Sequence, residues 1–399
     1  MAITAIMAGT VFTPEKEIAK GVILIDGHRI VDVGPEHSFK LPAGAEVIDH
    51  RNRIVTPGFI DLHTHGAAGH DFMEATPAAL AAIGVFLARH GTTSYVATTV
   101  TASVQETLRA AAGLGEIIRA ARSLDHGSKP GDEPTAQPLG IYFEGPFINA
   151  VRRGAHPAAE IQKPSVQMCR EFLDATGGTA LALALAPELD EDLAVLKYAR
   201  SRGIRVGIGH SNATYGEAER AIEAGATHAV HIYNAMRPFG HRDTGIIGAV
   251  LTDDRVSAEL ICDGHHVEPA AVQLLERAKG LGRIILVTDS LSATGMPDGA
   301  YQLGQLKVNV VGGVCRTAEG NLAGSSITLQ QALQNLVKFT GKSFKDCLPC
   351  ATLNPARLLG LEKQKGIIAD GADADLAILD GNYEVKGSYL RGRVVTPPL

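Results

Sequence analysis

The sequence lacks any stretch of roughly 18 or more apolar residues, so no segment of it is expected to span a membrane as a helix. It has no long basic run. Its formal net charge is −6 and its pI is about 6.2, which leaves no electrostatic footprint for nucleic acid. An acidic total does not exclude a small anionic ligand, because a few local Arg and His side chains can hold one phosphate. Cysteine is scarce and odd in number, at 5 in 399 residues. A disulfide framework is therefore not expected, and a reducing cytoplasm is the expected compartment. Residues 1–7 are apolar but too short, and have no basic residue ahead of them. They read as a strand rather than a signal peptide. Cys347 and Cys350 form a C-x-x-C, which can signal redox or zinc chemistry. No second Cys pair and no thioredoxin-like context accompany it, so the pair reads as two small apolar residues on a helix over 344–359.

Core material is plentiful, with 45% hydrophobic and 20% charged residues. The length predicts one large domain plus a smaller one. The first 55 residues read as short strands and turns, with Asp26-Gly27 as a hairpin signal before Arg29–Val33. The last stretch repeats that texture: Ala369–Asp375 precedes the apolar run Leu376–Leu379, and Arg391–Val395 follows. Neither end can bury a sheet face alone. The expectation is that residues 1–55 and 363–399 pair into one small β-sandwich around a larger domain over 56–362.

Between the ends, eight short apolar runs alternate with helix-period segments: 59–62, 93–99, 139–143, 181–186, 204–208, 227–231, 256–262 and 284–288. Thr76-Pro77 supplies a helix start and Gly91 a stop, and Glu268-Pro269 to Gly280 repeats the pattern. Eight such alternations predict an α/β fold, a parallel (β/α)8 barrel. The alternative is an open doubly wound sheet, but the usual version carries a Gly-rich dinucleotide fingerprint after its first strand, and none is present. Two segments stand outside the alternation. Residues 122–138 are polar and rich in Gly and Pro, reading as a surface loop. Residues 299–323 read as an inserted β-hairpin turning at Gly312-Gly313, on the catalytic face of a barrel.

Polar residues close the predicted strands. His63 and His65 end the first, Glu144 the third, His210 the fifth, His231 the sixth and Asp289 the eighth. All would sit at the C-terminal mouth, where active sites of this fold lie. Residues i and i+2 of a strand share a face, so His63 and His65 point the same way. Imidazoles and a carboxylate together suit Zn²⁺ or a similar divalent ion. Each residue alone has an ordinary reading, as a surface His, a loop anion or a helix cap. Six together, each at a strand end, point to a metal site. His228 lies three positions before His231, which predicts the opposite face, toward the helices, and a structural role.

At this point the residues resemble a known family. Val55–His65 looks like the opening of the amidohydrolase superfamily. The blocks YFEGPFIN (142–149), GAHP (154–157), GHSNAT (209–214), HIYNAMRPF (231–239), DGHHV (263–267), VTDS (287–290) and NLAGSS (321–326) resemble the N-acetylglucosamine-6-phosphate deacetylase family within it, and the likeness covers nearly the whole chain. The resemblance implies that Glu144, His210 and His231 hold one divalent ion, with His63 and His65 as ligands of a second or weaker site. Zinc is the first expectation, with iron, manganese or cobalt as alternatives. It implies Asp289 as the catalytic carboxylate. It also implies His156, Asn234, Ala235, Arg242, His266 and Leu322-Ala323-Gly324 as substrate contacts. In the family the residues matching Arg242 and His266 bind the sugar phosphate, and the partner subunit supplies some contacts, so a homodimer is implied.

The chemistry agrees. Hydrolysing an amide needs an activated water, a polarised carbonyl and a proton for the amine; a divalent ion, Asp289 and His156 could serve these needs. Arg242 offers a planar fork for phosphate. Other amidohydrolases bridge two metals with a modified Lys on the fourth strand, but the fourth run ends Ala184–Glu188 with no Lys. Deacetylation of the galactosamine epimer stays open. A non-catalytic scaffold would be expected to have lost ligands, and none is missing here.

Overall fold

The computed structural model describes residues 3–123 and 133–395. Eight strands form one parallel sheet in chain order: Phe59–Thr64, Thr92–Thr99, Gln137–Phe143, Ala180–Leu185, Arg205–Ile208, His228–Ala229, Ser257–Ile261 and Ile284–Val287. They are called barrel strands 1 to 8 below. The sheet is drawn together at its mouth, where the Asp289 N–H donates to the His63 carbonyl (2.9 Å) and the His65 N–H to the Ser290 carbonyl (2.7 Å). A helix follows each strand: Pro77–Arg89, Val104–Ser123, Val166–Ala175, Ala194–Ser201, Tyr215–Glu223, Gly245–Thr252, Pro269–Lys279 and Leu329–Thr340.

Alternation along the strands sorts two cores. Ile60, Leu62, Val96, Tyr142, Ala182, Ala184, Val230, Ile261, Ile285 and Val287 fill the interior, and Ala356 and Leu359 pack with them. Neighbouring positions such as Phe59, Tyr95, Phe143, Leu185, Ile208 and Leu286 face outward against Leu80, Ile83, Phe172, Val250 and Leu333 of the helices. The helix signals act as their chemistry dictates. The Thr76 side chain accepts the Ala79 N–H ahead of Pro77, and Gly280 follows Lys279.

The chain ends form a seven-stranded sheet in the order Arg393–Val395, Val385–Leu390, Leu376–Leu379, Glu46–Pro57, Thr4–Phe12, Glu17–Asp26 and Arg29–Pro35. It buries Ile6, Ile23, Ile25 and Ile30 against Ile368, Ala372 and Ala374 on one face, and Ala5, Met7, Val22 and Leu24 on the other. Among the described residues, no helix is long and apolar enough to cross a membrane.

Three expectations change. The insertion after barrel strand 8 is a three-stranded antiparallel sheet (Gly299–Leu303, Leu306–Val311, Val314–Thr317), because a second turn at Gly304 precedes the one at Gly312-Gly313. The predicted helix over 344–359 is broken into Phe344–Cys347, a 3₁₀ turn and Leu353–Leu359, with Pro349 lacking a donor and Thr352 outside helical geometry. The loop over 122–138 is shorter at both ends: a helix reaches Ser123 and a strand begins at Gln137, while residues 124–132 lie outside the described residues.

Candidate active site

His63 and His65 face the mouth because of a register irregularity. Asp61 pairs with Tyr95 and Thr64 with Ala97, so barrel strand 1 carries one more residue than its neighbour over that interval. Strict alternation from Ile60 and Leu62 would have sent His63 outward. The extra residue reverses the parity and re-aims both imidazoles, a recurrent use of a bulge beside a site. Three other site residues are placed by left-handed backbone: His210 (φ 48°), His231 (φ 25°) and Asp289 (φ 48°). Such conformations cost about 1–3 kcal/mol each and persist where surrounding contacts enforce them. Here the His210 carbonyl accepts from Asn149 N–H (2.8 Å), and the Asp289 carbonyl from Ser325 N–H (2.7 Å). Gly324 is required at that approach, since a Cβ there would lie 2.8 Å from the Asp289 oxygen.

The buried Glu144 carboxylate is the hub. Its Oε1 lies 2.9 Å from His231 Nε2, 3.2 Å from His210 Nε2 and 3.5 Å from His63 Nε2; its Oε2 lies 3.1 Å from His65 Nε2 and 3.3 Å from His156 Nε2. Asp289 Oδ1 is 3.1 Å from His65 Nε2. Hydrogen bonds at the far nitrogens fix three rings. His65 Nδ1 donates to the Thr98 carbonyl (3.2 Å), His210 Nδ1 to the Arg152 carbonyl (3.0 Å) and His63 Nδ1 to Glu259 (3.0 Å). Each therefore turns its Nε2 toward Glu144. The His63 Nε2 is buried and has no hydrogen-bond partner, and His210 and His231 bring two Nε2 atoms within 3.1 Å. Converging imidazole lone pairs around a carboxylate fit a divalent cation.

His156 differs. Proximity alone groups it with Glu144 and His210, as it groups His63, His65 and Glu144, with ligand atoms within 4.8 Å of one another. Yet its Nδ1 faces the Thr101 hydroxyl (2.8 Å) and accepts the Thr101 backbone N–H (3.4 Å), which can only donate. The proton is thus on Nε2, making His156 a donor toward the cavity rather than a metal ligand.

The cluster demands positive charge. Burial alone would raise Glu144, but the charges of His63 and His156 and hydrogen bonds from His156 and His210 outweigh it and hold Glu144 well below the carboxylate range. Burial would likewise raise Asp289, and the His65 hydrogen bond with the His63 and His65 charges brings it below its ordinary value. Burial works against protonating His65, but Asp289 and Glu144 lift it to about 9. A divalent cation could replace such protons.

A cavity of about 380 Å³ opens over this cluster, lined by His65, Glu144, His156, His210, His231 and Asp289 together with Asn234, Ala235, His266, Leu322, Ala323 and Gly324. A larger cavity of about 590 Å³ lies near Pro57 and Leu281, at the N-terminal end of the strands, and its lining holds no His or Cys. Chemistry, not size, selects the first. Arg242 is exposed and outside the cavity lining, on a loop folded by the Arg237–Asp243 pair (2.6 Å). His266 is held by Asp263, whose Oδ2 lies 2.6 Å from its Nδ1. Cys347 and Cys350 are buried away from the cavity, and burial pushes the Cys347 thiol up to about 11 and Cys350 further.

The sequence reading missed several neighbours. Arg153 lines the cavity and donates to the His156 carbonyl (3.0 Å). Glu188 accepts from Asn149 (2.8 Å) and Ser211 (2.7 Å), joining the loops after barrel strands 3 and 5. His228 does not face the helices. It is buried inside the barrel, where its Nε2 accepts the Tyr142 hydroxyl (2.9 Å), because the odd spacing to His231 is undone by the left-handed turn at His231. Glu259, a lone acid in the apolar run 256–262, was the available signal for this network.

A sequence profile described as the Amidohydrolase family matches residues 54–395. The chain is similar to the N-acetylgalactosamine-6-phosphate deacetylase of Escherichia coli, 37% identical over 355 residues, covering 89% of this chain and 91% of that protein. It is also similar to the N-acetylglucosamine-6-phosphate deacetylase of Vibrio furnissii, 36% identical over 362 residues, covering 91% and 86%. Among solved structures, N-acetyl-D-glucosamine-6-phosphate deacetylase from Mycobacterium smegmatis superposes with a TM-score of 0.89 at 35% identity, covering 98% of this chain and 100% of that one. The Thermotoga maritima enzyme of the same name gives 0.84 at 34% identity, covering 99% and 100%.

Proposed function

Because the chain belongs to the amidohydrolase family, we propose that it hydrolyses the acetamide of N-acetyl-D-glucosamine 6-phosphate to D-glucosamine 6-phosphate and acetate. The observation that carries this reading is the ring of imidazole Nε2 atoms turned on Glu144 beside an ionised Asp289. Glu144, His210 and His231 would hold a divalent ion, zinc first, with His63 and His65 beside them for a second. When bound, the ion supplies Lewis acidity that acidifies water and polarises a carbonyl. Asp289 takes the proton of the attacking water and returns it to the leaving nitrogen. His156 presents Nε2–H to the carbonyl oxygen as negative charge develops there. Leu322-Ala323-Gly324, Asn234 and Ala235 wall the cavity around the sugar, and His266 stands at it for the phosphate.

The test is release of acetate and free amine from the glucosamine and galactosamine 6-phosphate derivatives, with Zn²⁺ added or chelated. Release dependent on metal establishes the reaction, and the ratio between the two names the epimer. No release from either would move the activity to another amide.

We further propose that the enzyme is a homodimer in which Arg242 of the partner subunit completes the phosphate site, since Arg242 is exposed and outside its own cavity. Arg242→Ala and Asp289→Asn proteins should each be nearly inactive. If the two are unfolded and refolded together, half the dimers are hybrids with one complete site, and about a quarter of wild-type activity should return. An Arg242 acting within its own subunit would give no recovery.

A further inference from the structure

Glu259 is a fully buried carboxylate on barrel strand 7 that the reaction above does not use. Its Oε2 accepts from His63 Nδ1 (3.0 Å) and from the His231 backbone N–H (3.2 Å). Its Oε1 is 3.2 Å from His228 Nε2 but forms no hydrogen bond. The proton inventory explains why. The Thr227 hydroxyl donates to the Val206 carbonyl (3.1 Å), so its oxygen accepts from His228 Nδ1 (2.8 Å). His228 Nε2 is then unprotonated and accepts the Tyr142 hydroxyl (2.9 Å). Gly207 leaves room for this pair, since a Cβ there would sit 2.6 Å from His228 Nε2 and 2.7 Å from the Tyr142 oxygen. With this arrangement His228 gives Glu259 no hydrogen, and no Lys or Arg pairs with Glu259 among the described residues.

An unpaired carboxylate this deep is costly unless a cation answers it. The hydrogen-bonded route from Glu259 toward the mouth runs through His63, whose other nitrogen is buried, unpartnered and 3.5 Å from Glu144. We propose that Glu259 is a positioning residue for the H-x-H pair: it keeps the His63 proton on Nδ1, aims Nε2 at Glu144, and supplies the buried negative charge that lets His63 and His65 hold a second divalent ion. His65 and His210 lean on neutral backbone carbonyls at the equivalent place, so His63 is the one ring among these three backed by a full charge. This inference rests on the metal-centre reading above.

The test is Co²⁺ titration of the metal-freed full-length protein, followed by visible absorption and metal counting. The wild type should take up two equivalents. Glu259→Gln keeps the size and an acceptor but not the charge, and should bind the second equivalent about ten- to a hundredfold more weakly while the first is unchanged. In a His63→Asn background the same substitution should add nothing, since its effect passes through that ring. Equal affinity for the second ion in wild type and Glu259→Gln, additive losses in the double variant, or a single equivalent in the wild type would each overturn the proposal. No uptake at all in the wild type would instead remove the metal-centre reading on which it stands. Should Glu259→Gln fail to fold, ¹⁵N-histidine NMR of the zinc-loaded wild type decides: His63 as the Nδ1–H tautomer supports the proposal, and Nε2–H overturns it.

Discussion

Replacing Glu144 by Gln is expected to remove metal uptake and hydrolysis together. Glu144 meets five imidazoles of the mouth, and its two oxygens divide them. Oε1 faces His231, His210 and His63, and Oε2 faces His65 and His156. A Gln presents one oxygen and one NH₂ in the same volume. Whichever way it turns, donor hydrogens meet either the His210–His231 pair or His65, and the negative charge is gone. Two imidazole Nε2 atoms only 3.1 Å apart then have no anion to help a cation bind between them. Lewis-acid assistance is worth several kcal/mol, so its loss should lower kcat/KM by about 10³-fold or more. Metal counting on the purified variant, beside acetate release with excess Zn²⁺, checks both halves. A Gln variant that kept stoichiometric metal and near-normal turnover would sink the assignment of Glu144 as the shared ligand.

The site was legible in the sequence where a residue type is rare in its setting. Glu144, His210, His231 and Asp289 each end an apolar run, and a parallel barrel sends every such end to one mouth, so their meeting follows from topology alone. The eight runs were equally plain, because strands buried on both faces read as continuous apolar stretches. What the sequence could not show is where alternation fails. His63 and His65 face inward through an extra residue in barrel strand 1, and His228 shares the interior with Val230 while His231 reaches the mouth through a left-handed backbone. Parity counted along an ideal strand misplaces such residues, and the misplacement occurs where the chemistry is concentrated. Glu259 stands out in the sequence as a lone acid in an apolar run, but only the fold brings it to His63. Arg242 belongs to another category: it is exposed and stands outside its own chain's cavity, so the phosphate role proposed for it rests on a second chain.

The second large effect is expected at Asp289. Asp289→Asn should lower kcat by about 10²- to 10⁴-fold, the usual range for removing a general base, with a much smaller change in KM. Asn is the informative substitution because residue 289 sits at φ 48°, a left-handed conformation that Asn tolerates and that strains Ala. The backbone bonds at this position, from its own N–H to His63 and from Ser325 to its carbonyl, do not involve the side chain and should survive. So should the hydrogen bonds of Thr288 to Asp61, which hold the end of barrel strand 8 (2.6 Å for the hydroxyl). On the proposed reading, the side-chain loss falls on taking and returning a proton. Asp289 is suited to it because the His65 hydrogen bond and the His63 and His65 charges overcome burial and keep the carboxylate ionised. Its contact with His65 Nε2 at 3.1 Å means that the variant's metal content must be measured alongside its rate. A slow Asn variant with full metal places the defect in proton transfer. A slow variant that has also lost metal places Asp289 among the ligands instead. An Asn variant as fast as wild type would leave the water without its base, and the assignment of Asp289 would fall.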